Sequence, residues 1–283
     1  MNILTFDIED WYNCDFISGD LDWSKYEVRI YDGVSRILNA LDERGILGTF
    51  FCLGWLADNH PKVIQQIIAA GHQVGCHSYQ HQLATSFTID EFYKDTLKAK
   101  SALENVLGSE VTAYRAPGVS ITKNNLEYFD VLSELGFQYD CSVFPAPHDY
   151  GGIPTFGKAE PKILKLRNGC YLKEFPINTT SIMGKNIVFS GGGFFRIMPY
   201  HLIQFWAKKS EYMMTYFHPR DFDYKQPRMR TLPTVRYFKS YVGIKSAFSK
   251  FEKLLDDFNF VNVVQADEQI NWEISEVINV EKL

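Results

Sequence analysis

A chain of 283 residues, 46% hydrophobic and 22% charged, has an ordinary globular composition and is long enough for one large core or two small ones. Its net charge of −5 gives no sign of a nucleic-acid or anionic-membrane surface. No run of eighteen apolar residues occurs, and the opening MNILTFDIEDW carries no basic-then-apolar leader, so the expectation is a cytoplasmic protein without a transmembrane segment. The five cysteines follow no regular spacing, which argues for reduced thiols over a disulfide framework.

Short apolar runs alternate with amphipathic stretches. NILTF reads as a buried strand, followed by the helix DGVSRILNALDERG with Asp32 as its N-cap. LGTFFCLG is the next strand, and HPKVIQQIIAAG a helix with Pro61 in its first turn. HQVGCH is a third strand that runs into SYQH. TIDEFYKDTLKAKSALENVLG opens on a capping box, Thr88 with Glu91. VTAYRAPG, TKNNLEYFDVLSELG and FQYDCSVFP continue the rhythm as strand, helix and strand. Between about 146 and 200 it breaks into turns around YLKEFPI, expected as an insert over one face. It resumes with the strand YMMTYFHP, one long amphipathic stretch TVRYFKSYVGIKSAFSKFEKLLDDF, and a closing strand FVNVVQ. No linker or repeat divides the chain, so 1–283 is expected to be a single α/β domain. About seven strand–helix units without a dinucleotide glycine fingerprint favour a distorted (β/α) barrel.

Polar residues collect at the expected strand ends. Asp7, Glu9 and Asp10 follow the first strand, His77 and His81 the third, Arg115 the fourth; Asp140 lies in the fifth and His218 ends a late one. In a parallel barrel these ends share one rim. The HSYQH pair is weak by itself, since two histidines four apart are often merely solvated. On a helical turn, however, they lie on one face, and with one carboxylate they make a site for zinc or another divalent first-row ion. Asp7 calls for an ionised partner if buried, and Arg115 is the obvious one. His218 reads as a proton donor. His60, His72, His148 and His201 read as structural or surface residues. The absence of HExxH, GxSxG and Walker motifs removes zincin, serine-hydrolase and nucleotide-phosphate readings.

With those residues in view, the chain resembles polysaccharide deacetylases of the chitin-deacetylase-like superfamily, carbohydrate esterase family four, in a branch that opens on TFDxED. TFDIEDW, GHQVGCHSYQH, YRAPG and YFHPRDFD match its motifs in order, and YDCSVFP, KEFPI and GGGFFRIMPY also look like that branch. The resemblance implies a barrel of about seven strands and a divalent metal, zinc first, with cobalt, nickel or manganese as alternatives. It implies Asp7 as catalytic base, His77 and His81 as metal ligands, Arg115 holding Asp7, His218 as general acid and Asp140 tuning it. Ile8 stands where the commonest pattern has a ligating acid, so the third ligand is Glu9 or Asp10. The implied substrate is an N-acetylated saccharide, a surface polysaccharide or its precursor. The rival readings are an allantoinase- or imidase-like hydrolase of a non-sugar C–N bond and a non-catalytic carbohydrate-binding relative.

Overall fold

Thr5 to Ile8 is buried on both faces of its strand, as required of a strand sandwiched in a parallel sheet. The computed structural model that shows this describes residues 1–13, 21–147, 149–182 and 185–283; Cys14 and His148 lie outside them. In chain order the elements begin β1 (Asn2–Ile3), β2 (Thr5–Ile8), α1 (Ile30–Asp42), β3 (Thr49–Cys52), α2 (Gly54–Asn59), α3 (Pro61–Ala69), β4 (Gln73–Cys76), α4 (Ile89–Leu107), β5 (Ala113–Tyr114), α5 (Tyr128–Glu134) and β6 (Tyr139–Asp140). Then come β7 (Lys162–Lys165), β8 (Tyr171–Glu174), β9 (Thr180–Ile182), β10 (Lys185–Ile187), α6 (Gly192–Ile197), α7 (Tyr200–Lys209), β11 (Met213–Met214), α8 (Thr234–Tyr241), α9 (Ile244–Asp257), α10 (Val263–Gln269) and β12 (Val277–Asn279).

Strands β2, β3, β4, β5, β6 and β8 form one parallel run, and β1 pairs in parallel with β11. A further bridge joins Phe6 to Phe217, so β1 and β2 act as one strand with a neighbour on each side. Seven parallel positions therefore curve around the core. The register sets Ile8 beside Cys52, Cys52 beside Cys76, Cys76 beside Tyr114 and Tyr114 beside Asp140. The C-terminal ends of successive strands thus reach one rim, where such folds build their sites.

Among the described residues no ladder closes the ring; an isolated bridge of Gly191 to Tyr216 and side-chain bonds do so. The free edge of β8 is taken by the antiparallel β7, and β12 adds beyond it. Across the seam to β11, the buried Asn178 Oδ1 accepts from Met214 N–H (3.0 Å) and from Ser190 Oγ (2.8 Å), and the Tyr212 hydroxyl donates to the Pro176 carbonyl (2.8 Å). The stretch expected as an insert is thus partly wall, since β8 belongs to the parallel run.

Four local expectations change. FVNVVQ is mostly helix: Asn262 and Gln265 form a reciprocal capping box at α10, and only Val261 bridges to Ile3. The long amphipathic stretch is two helices, broken where Gly243 takes φ +72 and packs on the Arg196 carbonyl, 2.2 Å from where a Cβ would stand. The helix read from TKNNLEYFDVLSELG is only α5. Helix α1 starts before Asp32, and its cap comes from a distant residue described below. The capping box of Thr88 with Glu91 forms as read.

Replacing Asn178 by Ala should leave the Met214 N–H unpaired in the interior and cost about 1–3 kcal/mol in denaturant unfolding. A loss below about 0.5 kcal/mol, the range of an ordinary surface substitution, would show that other contacts hold the seam.

Candidate active site

The rim gathers its charges around one guanidinium. Arg115, 1% exposed, directly follows β5. Its Nη1 donates to Asp7 Oδ1 and Thr5 Oγ1, both at 2.8 Å, and its Nε to the Cys141 carbonyl at 3.2 Å. The Phe51 ring lies 4.2 Å beneath it. Burial pushes the Asp7 carboxyl up, but the charge and hydrogen bond of Arg115, helped by the charge of His218, outweigh that and hold it below its ordinary value. Asp7 is therefore an ionised carboxylate in a dry place.

His77 follows β4. Its Nδ1 lies 2.8 Å from the Arg115 carbonyl, which can only accept, so Nδ1 carries the proton and Nε2 is left for other chemistry. Burial lowers its pKa to about 4, which keeps the ring neutral as a metal ligand must be. His81 comes to the same place by a route the sequence did not reveal. Residues 77–81 are not a helical turn: Ser78 and His81 take φ +66 and +56. The loop is pinned because Gly54 and Trp55 N–H at the start of α2 donate to the Ser78 and Tyr79 carbonyls, both at 3.0 Å. The two imidazole centroids end 5.2 Å apart.

Of the two acids left open as third ligand, Glu9 faces the histidines. Its Oε2 is 2.7 Å from His81 Nε2, and donor atoms of Glu9, His77 and His81 all lie within 4.8 Å of one another. Two imidazoles and a carboxylate suit a first-row divalent ion. Asp10 turns away. Its Oδ1 accepts from Trp11 N–H (2.7 Å), and its Oδ2 from Arg29 and Ile30 N–H (2.7 and 2.9 Å). It caps α1, satisfying donors that helix starts leave open.

His218 closes the far side, its Nε2 3.8 Å from Asp7 Oδ2 and from Glu9 Oε1. The expected tuning residue, Asp140, does not reach it. Asp140 is buried, accepting from Ser142 Oγ (2.7 Å) and Ser142 N–H (2.9 Å) and paired in register with Glu174. Burial raises the pKa of both acids, so this pair is kept from carrying two charges. The carboxylate on His218 is instead Asp221, whose Oδ2 lies 3.0 Å from Nδ1 and accepts the His218 N–H at 2.9 Å. Behind it, Arg196 Nε lies 3.2 Å from Asp221 Oδ1. Burial alone would lower the His218 pKa, but the hydrogen bond and charge of Asp221, with Glu9 and Asp7, raise it to about 9. Asp221 and Arg196 were missed in sequence, although an acid three residues beyond HP was a legible capping signal.

Above these polar groups the cleft is lined by Val119, Phe144, Tyr150, Ile177 and Tyr216. Val119, β-branched, takes φ +48, a strained setting that costs of order 1–3 kcal/mol and gathers at functional sites.

Comparison with known proteins matches residues 4–139 to the polysaccharide deacetylase family model and residues 141–268 to a domain of unknown function, DUF3473. Residues 4–139, just under half of the chain, thus carry a polysaccharide deacetylase family domain. A peptidoglycan-N-acetylglucosamine deacetylase of Bacillus cereus is 29% identical over 93 residues, 33% of this chain and 34% of that protein. Its counterpart PgdA from Listeria monocytogenes is 31% identical over 91 residues, 32% of this chain and 20% of that protein. The chain thus aligns with about a third or less of either relative. A solved structure from Mycobacterium smegmatis, assigned as a polysaccharide deacetylase, shares the fold with a TM-score of 0.63 at 22% identity, over 96% of this chain and 90% of that one.

In the metal-free protein, Asp221→Asn should drop the His218 pKa from about 9 toward the ordinary value near 6.5, read by NMR titration of the ring. The stability conferred by charged His218 is present in full below about 6.5 and lost as pH rises through about 9, so the variant should lose that alkaline decline.

Proposed function

We propose that the protein is a metal-dependent hydrolase that removes the N-acetyl group from an amino sugar in a surface polysaccharide or its precursor. The observation that carries this reading is a pair of opposite charge states either side of one ligand cluster. Asp7 is held ionised and His218 protonated; His77 and His81 line the same cleft, and Glu9 meets His81. Two titratable groups driven apart in this way are the mark of a base and an acid with separate tasks. The family match and the names of the curated relatives support the substrate class.

Glu9, His77 and His81 would hold the ion, zinc by donor type, which supplies Lewis acidity toward the amide carbonyl and makes a water more acidic. Asp7 Oδ2 accepts the proton of the attacking water, because Arg115 occupies Oδ1 and fixes the carboxylate. Attack on the carbonyl carbon forms the new C–O bond. His218 Nε2 then delivers a proton to the sugar nitrogen as the C–N bond breaks, leaving acetate and a free amine. Asp221 keeps Nδ1 protonated, so that the proton on Nε2 is the one to leave. The apolar walls of Val119, Phe144 and Ile177 exclude water from the acetyl group.

Acetate release from N-acetylglucosamine oligomers tests the reaction. Asp7→Asn and His218→Ala should each lower kcat by about a hundredfold or more, the usual worth of a positioned acid or base, with the fold retained; near-normal turnover in either would remove the mechanism. Turnover should fall as pH drops toward about 4, where His77 takes up a proton, and again above about 9, where His218 loses one.

Metal content separates the two acids. The purified protein should bind one divalent ion per chain, lost in His77→Ala, His81→Ala and Glu9→Gln but kept in Asp10→Asn. Loss in the Asp10 variant alone, with Glu9→Gln unaffected, would reverse the assignment.

A further inference from the structure

The net charge conceals a local asymmetry. Residues 224–251 hold seven of the chain's 29 basic residues and none of its 34 acidic ones. Helix α8 lies within this stretch. On its inner side the Tyr237 and Tyr241 rings meet at a tilt, with centroids 4.8 Å apart, and the buried Tyr241 hydroxyl accepts from Met229 N–H at 2.9 Å. On its outer side Val235 and Phe238, one turn apart, are 69% and 56% exposed. Helix α6 is clamped beside it, because Arg196 Nη1 and Nη2 donate to the Ser240 and Lys239 carbonyls at 2.7 and 2.8 Å. There Phe194 and Ile197, also one turn apart, are 49% and 50% exposed. Lys250 is turned inward onto the Phe195, Arg196 and Met198 carbonyls, and Lys239 faces Asp149 at 3.8 Å. The two helices thus turn large apolar side chains to solvent in a stretch that remains predominantly cationic, a pattern that marks an interaction surface.

The chemistry of those side chains selects the occupant. A sugar chain stacks on flat aromatic faces, and branched Val235 and Ile197 offer none. A soluble polyanion needs the cations but gains nothing from the apolar stripe. Phe, Ile and Val rimmed by Arg and Lys is the composition of a helix lying in a membrane interface, where apolar side chains enter the acyl boundary and cations meet anionic headgroups. We infer that the α6–α8 face docks reversibly on the surface of an anionic phospholipid bilayer. The face adjoins the cleft: Arg236 lies over the ring of Tyr150, 5.7 Å from its centroid, and Tyr150 lines the cleft. Docking sets the mouth of the cleft beside the bilayer, which fits a membrane-anchored saccharide.

The test is co-sedimentation of the full chain with vesicles of phosphatidylcholine, alone or mixed with phosphatidylglycerol, and needs no catalysis, so its outcome is separate from that of the hydrolase reading. Binding should appear with the anionic vesicles, be weak with the neutral ones, and fall as salt is raised. Arg228→Gln with Arg230→Gln should weaken it about twenty-fivefold, roughly fivefold per cation. Val235→Ser with Phe238→Ser should weaken it to a similar degree, while both double variants keep the wild-type Tm and activity on soluble substrate. Absence of binding to anionic vesicles would overturn the inference. So would binding that survives Val235→Ser with Phe238→Ser undiminished, or that heparin abolishes at equal charge in that same variant and the wild type alike, since either would describe a polyanion site without membrane insertion.

Discussion

One buried guanidinium holds the site in register with the sheet. Arg115 reaches Asp7 and Thr5 on β2, the Cys141 carbonyl just past β6 and Met214 Sδ on β11, and stacks on Phe51 of β3. A cation this far from water persists only when its donors are matched, and taking away one partner of such a pair typically costs about 3–5 kcal/mol. The same contacts that make Arg115 tolerable in the interior fix where the Asp7 carboxylate points and in which protonation state. Its carbonyl orients His77 as well. Structure and chemistry thus rest on one residue, and neither is separable by substitution there.

The two sequence models abut at residues 139 and 141, yet the proposed chemistry draws on both. The N-terminal half supplies Asp7, Glu9, His77, His81 and Arg115. The C-terminal half supplies His218 with the carboxylate that charges it and the arginine behind that carboxylate. The parallel run crosses the boundary, because β8 pairs with β6 and β11 with β1. A fold-level match at 22% identity speaks to architecture alone, and function has to be argued from the side chains. Here that argument needs both halves.

Much of this was legible before any coordinates. The apolar run NILTF and the strand–helix alternation pointed to the parallel sheet, and the rim rule grouped Asp7, His77, Arg115 and His218, with Asp140 wrongly among them. What the residues hid has physical causes. The histidines of HSYQH meet because two non-glycine residues adopt positive φ, not because of helical period, so a correct pairing was read for the wrong reason. Asp10 and Glu9 differ by one position, and only the location of α1, twenty residues on, shows which is claimed as a cap. Asp140 looked available because its neighbour across the sheet, Glu174, is remote in sequence. VNVV is too short for periodicity to separate strand from helix, and Asn262 decides it through a cap. The local cationic face vanished in a net charge that averages over the whole chain.

The seam between β8 and β11 carries a consequence of its own. A ladder of backbone hydrogen bonds resists being pried apart residue by residue, whereas this wall is fastened by the Asn178 amide, the Tyr212 hydroxyl and one isolated backbone bridge of Gly191 to Tyr216. Ile177, next to that fastening, lines the cleft. Under the proposed function, a bulky glycan would enter on this less cross-linked flank, away from the stiff arc that carries Asp7 and the histidines.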